Sequence, residues 1–178
     1  MIISVEDVKK RITTNLDDTV LEEKLQALEI QIREYTNNRF LKKPYVRINA
    51  EILGGVFISE SPVPFKVGDT VQVSVGNDAI DCGVYTVKEI LENGIFTVNE
   101  DVDDITNTTV SLVQYKADVR IGVVELLDWK LKNADKVGLS AETISRHSQT
   151  FDRTSIDKNF GVPNDLLAFL KPYKNPRF

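Results

Sequence analysis

Gly68-Asp69-Thr70-Val71-Gln72-Val73-Ser74-Val75 decides the fold class. From Val71 onward apolar and polar residues alternate strictly, the period of a strand with one face buried. Upstream, Val46, Ile48, Ala50 and Ile52 keep the same period, and Gly54-Gly55 turns the chain back into Val56-Phe57-Ile58. Ser61-Pro62-Val63-Pro64 then breaks the run. Downstream, Gly83–Leu91 and Ile95–Val98 read as two strands joined through Asn93-Gly94, a strong hairpin signal, and Thr109–Val113 closes the series. Short strands at this spacing predict a small antiparallel barrel or sandwich over residues 44–115.

On both sides of that stretch the period becomes helical. Ser4, with Asp7 three residues on, predicts a capped short helix over 5–13 carrying Val5, Val8 and Ile12. Asp18 or Thr19 caps a longer helix over 19–38, whose stripe is Leu21, Leu25, Leu28, Ile32 and Tyr35 and which ends at Asn37-Asn38. Such a stripe ordinarily packs inside its own protomer; a seam for a partner helix is the sharper alternative. Asp118 is placed to cap a third helix over 119–135, with Val124, Leu127, Leu131 and Ala134 in one stripe. Val123, Leu126 and Trp129 widen it, so this helix has neighbours on more than one side. The expected fold is α+β: a small helical bundle formed by residues 1–43 plus 116–178, with an antiparallel β module at 44–115 inserted into it. The GDTVQV stretch followed by a hairpin resembles an SH3-like barrel.

The composition excludes several classes of function. An apolar fraction of 42% supplies a core, and a net charge of −5 argues against a protein that grips phosphates through clustered Lys and Arg. Cys82 is the sole cysteine, so no intrachain disulfide forms. The opening MIISVEDVKKRI has no apolar signal region, and no apolar run is long enough to span a membrane. His147, the sole histidine, has no cysteine in its own module, and a zinc site lacks its ligands. The acidic run Asn99–Asp104 fails as an EF-hand: Asp104 stands where glycine is needed and Val110 where the twelfth-position carboxylate is needed. It reads as a solvated loop. Neither a phosphate-binding glycine loop nor a G-x-S-x-G nucleophile setting occurs. No catalytic, cofactor or metal residue is assigned.

The remaining stretch, Gly138–Phe178, predicts a short helical turn over Ser140–Arg146, an extended piece over Ser148–Phe151, and a polar loop. A last helix then opens at Gly161-Val162-Pro163-Asn164-Asp165, is anchored by Leu166, Leu167, Phe169 and Leu170, and is stopped by Pro172. The pattern S-x-x-x-I-S-R-H-S-x-T-F from Ser140, G-x-P-x-x-L-L-x-F-L-K-P-Y from Gly161, and the closing Arg177-Phe178 resemble the carboxy-terminal signature of head–tail connector (adaptor) proteins of long-tailed bacteriophages and prophages. The short first helix, the longer helix ending in Tyr35–Phe40 and the helix with Trp129 fit the same family. The β module does not; simpler members have a short connection there.

The resemblance implies a non-enzymatic virion protein that forms a ring, usually of twelve copies, at the head–tail interface after assembly in the host cytoplasm. It implies the portal protein above, a stopper or tail completion protein below, and genomic DNA passing through the lumen without specific binding. Carried over to this chain, it makes Leu170, Lys171, Pro172, Tyr173, Lys174, Asn175, Pro176, Arg177 and Phe178 the expected portal-docking tail. The competing expectation is a module that binds a peptide or nucleic acid through exposed barrel aromatics, with Tyr45, Phe57, Phe65, Tyr85 and Phe96 as candidates.

Overall fold

The computed structural model describes residues 1–76, 80–133 and 156–176, and the backbone alone of 141–144 and 147–150. The chain divides into two compact units. One is Met1 with Arg39–Tyr115; the other is Ile2–Asn38 with Lys116–Phe178. The β unit thus begins at Arg39, upstream of the Pro44 boundary.

The first unit is a closed six-stranded antiparallel barrel. Its strands are β1 (Arg47–Leu53), β2 (Val56–Ile58), β3 (Thr70–Val75), β4 (Ile80–Glu92), β5 (Ile95–Val98) and β6 (Ile105–Leu112), in the order β1-β2-β5-β4-β3-β6. Closure comes from β6, which pairs with both β1 and β3 and leaves no open edge. β6 starts earlier than the expected Thr109, and β4 extends beyond Gly83–Leu91 at both ends. Gly54 and Gly55 both have positive φ, as the tight turn pairing Leu53 with Val56 requires. Gly94 is needed for a second reason. A Cβ there would lie 2.2 Å from the Ser59 carbonyl oxygen, whose residue donates its amide to Gly94 O at 2.8 Å.

Val71 and Val73 face the barrel core with Ile52, Phe57 and Phe96. Phe57 and Phe96 are fully buried and stack with centroids 4.6 Å apart. The other face of β3 is covered too. Thr70, Gln72 and Ser74 are buried, so β3 is enclosed on both sides rather than half-buried. Thr70 shows how such a polar row is accommodated: its hydroxyl accepts from the Met1 amine at 2.7 Å and donates to the Met1 carbonyl at 3.0 Å.

The second unit contains α1 (Val5–Lys9), α2 (Asp18–Thr36), α3 (Ala117–Lys132), the hairpin strands β7 (Ala141–Ile144) and β8 (His147–Thr150), and a terminal 3-10 helix, Asn164–Tyr173. Ser4 caps α1, accepting from the Asp7 amide. Asp17 caps α2, one residue before the expected cap, and α2 ends at Asn37 in the left-handed region. Lys116 occupies the α3 cap position without a side-chain bond. Asp118 lies inside the first turn instead, where its carboxylate accepts from the Val119 amide.

Leu21, Leu25, Leu28 and Ile32 of α2 are buried and Tyr35 is half-buried. On α3, Val124 and Leu127 are buried together with Val123 and Leu126, whereas Leu131 is half-buried. The expected helical turn at Ser140–Arg146 is replaced, over its described residues 141–144, by a strand. Ala141–Ile144 pairs antiparallel with His147–Thr150, and β-branched Thr143 and Ile144 suit that state. Pro172 does not stop the last helix. In 3-10 geometry its missing N–H forfeits one local bond, and the helix runs on through Tyr173.

Candidate functional site

The candidate tail is held within the helical unit by both ends of its helices. The cap amides of Asn37 and Asn38 serve Arg33 O and Glu34 O, but Thr36 O and Asn37 O lie beyond their reach. Asn175 supplies them: its amide donates to Thr36 O at 2.8 Å and its side chain to Asn37 O at 3.0 Å. The bonds also run the other way. Asn38 Nδ2 donates to Tyr173 O at 2.9 Å, and Asn37 Nδ2 donates to Pro176 O at 3.1 Å. The two asparagines that terminate α2 therefore also grip the tail.

At the first turn of α3, the Tyr173 hydroxyl donates to the Asp118 carboxylate, 2.6 Å from Oδ2 and 2.8 Å from Oδ1. Burial, reinforced by this carboxylate, pushes the Tyr173 phenol up to about 12. Lys116 lies 5.7 Å from the same ring, and Lys174 sits 3.7 Å over the Tyr35 ring. The tail is anchored from beneath by fully buried Leu170, and Phe169 packs on α3 at Gly122. A Cβ on Gly122 would come within 2.5 Å of the Phe169 ring, so the absent side chain is what admits it.

From this base Lys171, Pro172, Lys174, Asn175 and Pro176 are exposed, with Tyr173 half-buried between them. Leu170 belongs to the core, not to the surface. Arg177 and Phe178 lie outside the described residues. Neither Gly122 nor the Asn37-Asn38 pair stands out in the sequence as part of this site. The only signal for the pair was its position as a helix end.

The barrel aromatics do not form one surface. Phe57, Phe65 and Phe96 are buried in the barrel core. Tyr45 is exposed beside Arg47, and Tyr85 is half-buried with its hydroxyl donating to Cys82 O at 2.8 Å. The acidic run is more than a solvated loop. Glu100 accepts from the Thr86 amide and hydroxyl, at 2.8 and 3.1 Å, and Asp104 accepts from the Gly54 amide at 2.6 Å. These carboxylates tie the loop to the barrel.

Among the described residues no group of three or more His, Cys, Asp or Glu is arranged to hold a metal ion. Among them also no helix is long and apolar enough to cross a membrane. Cys82 lies in the barrel unit, while the side chain of His147 is outside the described residues.

Charge is distributed unequally. The barrel unit carries eleven acidic and six basic residues, the helical unit sixteen of each, so the whole net charge of −5 belongs to the barrel. No family model matches the chain, and no curated protein matches it either.

Proposed function

We propose that this chain is a structural head–tail connector subunit of a long-tailed phage or prophage. It assembles as a ring, twelve copies when docked, between the portal and the stopper or tail completion protein. It forms part of the DNA exit channel and carries out no chemistry. On this reading the helical unit is the connector-like bundle and the barrel is an SH3-like elaboration inserted into it. The protein resides at the head–tail interface of the virion.

The observation that supports this best is the secured tail. A docking segment held by four hydrogen bonds to the end of α2 and by Tyr173 at the start of α3 loses less conformational entropy on binding than a free chain end. It offers the portal Lys171, Pro172 and Pro176 on a fixed base. The acidic barrel is consistent with a conduit that does not retain DNA. The alternative, a barrel that binds a peptide or nucleic acid through aromatics, is less supported, because three of its five candidate rings are in the core.

Mass photometry of the chain with and without portal protein tests the reading. A portal complex bearing about twelve copies is expected, following the ring symmetry of such assemblies. A chain that remains monomeric in the presence of portal overturns it.

A further inference from the structure

One outer face of the barrel carries an apolar patch with glutamates on either side of it. Strand register places Glu51, Ile58, Ile95 and Glu92 side by side across β1, β2, β5 and β4. Two residues along, Leu53, Val56, Thr97 and Glu89 form a parallel row. Directly opposite neighbours on one face lie about 5 Å apart and diagonal ones about 7–8 Å, so the pairs Ile58–Ile95 and Leu53–Val56 adjoin as one apolar strip. Leu53 is 47% exposed and Ile58 42%; Val56 and Ile95 are half-buried, and the three glutamates are exposed. No ion pair engages Glu51, Glu89 or Glu92 among the described residues.

The helical unit carries the opposite pattern. Lys130 lies 5.6 Å from the Phe160 ring, Phe160 meets Tyr35 edge-on at 5.2 Å, and Lys174 lies over the Tyr35 ring. Lys24 is close enough to Lys130 that, together with the larger effect of burial, it lowers the Lys130 ammonium below its ordinary range. Val20, 39% exposed, precedes Lys24 by one helical turn. Lys130 and Lys174 lie over aromatic rings, and no carboxylate pairs with them or with Lys24 among the described residues. Half-buried Tyr35, backed by buried Phe160 and with these cations around it, is complementary to an apolar strip bordered by carboxylates.

We propose that the glutamate-bordered barrel face of one copy docks on the Lys24–Tyr35–Lys174 face of a second copy of this chain. This rests on the ring reading and supplies its subunit contact. The two surfaces are different, so the contact is heterologous and repeats from copy to copy, the kind of contact a ring uses. A single interface would then use the charge imbalance between the units, and the inserted barrel would serve as the linking element.

The test is sedimentation velocity of the full chain at about millimolar concentration in low salt, repeated at about 0.5 M salt, where the Debye length falls to about 4 Å. Two charge-reversed chains are compared, Glu51→Lys/Glu92→Lys and Lys24→Glu/Lys174→Glu, with circular dichroism confirming that each folds. The wild type is expected to associate, to weaken in high salt, and to weaken at least tenfold in either reversed chain. An equimolar mixture of the two reversed chains restores association, because each supplies the other's complement.

A wild-type chain that stays monomeric in low salt overturns the proposal. So does association indifferent to the reversals, or a mixture that fails to restore it. Binding of a labelled DNA duplex that is lost in Lys24→Glu/Lys174→Glu would assign the lysine face to nucleic acid instead. The ring reading itself fails separately, if no portal complex forms with the wild type. Normal portal rings built from Glu51→Lys/Glu92→Lys, which leaves the tail untouched, would defeat only the contact proposed here.

Discussion

The barrel and the helical unit are closed by different means. In the barrel every strand has two hydrogen-bonded neighbours, and a continuous core with Phe57 stacked on Phe96 fills the interior. Its integrity is distributed over many equivalent contacts. The helical unit is closed by the tail, which returns to the end of α2 and the start of α3 through a few polar bonds and one tight contact at Gly122. The first arrangement is a scaffold that tolerates surface change. The second concentrates its control in a few side chains, next to the surface proposed for docking.

Substitutions can break that comparison, beginning with the barrel core. Phe57→Ala removes a fully buried ring and is expected to cost about 3–5 kcal/mol by chemical denaturation. Gly94→Ala adds a Cβ against the Ser59 carbonyl at positive φ, and a loss of about 2–3 kcal/mol is expected. In the helical unit, Gly122→Ala drives a methyl into the Phe169 ring and should cost about 1–3 kcal/mol. Its particular signature is increased hydrogen exchange at Asn175, whose amide bonds Thr36 O, while the barrel amides stay protected. Equal loss of protection in both units would mean that they do not close separately.

The smallest effect is expected from Tyr173→Phe, which deletes a partly exposed bond to a carboxylate and should cost about 1 kcal/mol. Its pH dependence sharpens the comparison. The folded phenol titrates near 12, above the ordinary value of 10.0. A raised pKa means the bond contributes fully below pH 10 and is lost as pH rises toward 12. The difference in melting temperature between wild type and Tyr173→Phe should therefore be constant below pH 10 and shrink above it. A difference that grows in that window would contradict the assigned donor.

The barrel was legible because its cause is local. Alternation in Val71–Val75, the Gly54-Gly55 turn and the Asn93-Gly94 hairpin each act within a few residues. Closure was not legible: that β6 pairs with both β1 and β3 depends on register between segments far apart in the chain. The burial of Gln72 and Ser74 could not be read either, since alternation marks them as solvent-facing. In the helical unit the α2 stripe was readable from its spacing, and that of α3 at Val124 and Leu127, while Ala134 lies outside the described residues. The state of Ala141–Ile144 was not, because its strand character depends on pairing with His147–Thr150. The tail was visible as a segment, but its anchorage was hidden. Asn37, Asn38 and Asp118 look like ordinary helix-end residues until Tyr173 and Asn175 reach them.

The most direct measurement of the central claim is portal binding by a chain lacking Lys174–Phe178, compared with the full chain by surface-based kinetics or native mass spectrometry. The deletion removes the Asn175 and Pro176 bonds to α2 and the Lys174 contact with Tyr35, while leaving Tyr173 on Asp118. A folded protein whose portal affinity falls at least tenfold is expected. A folded deletion chain that binds portal as tightly as the full one would contradict it.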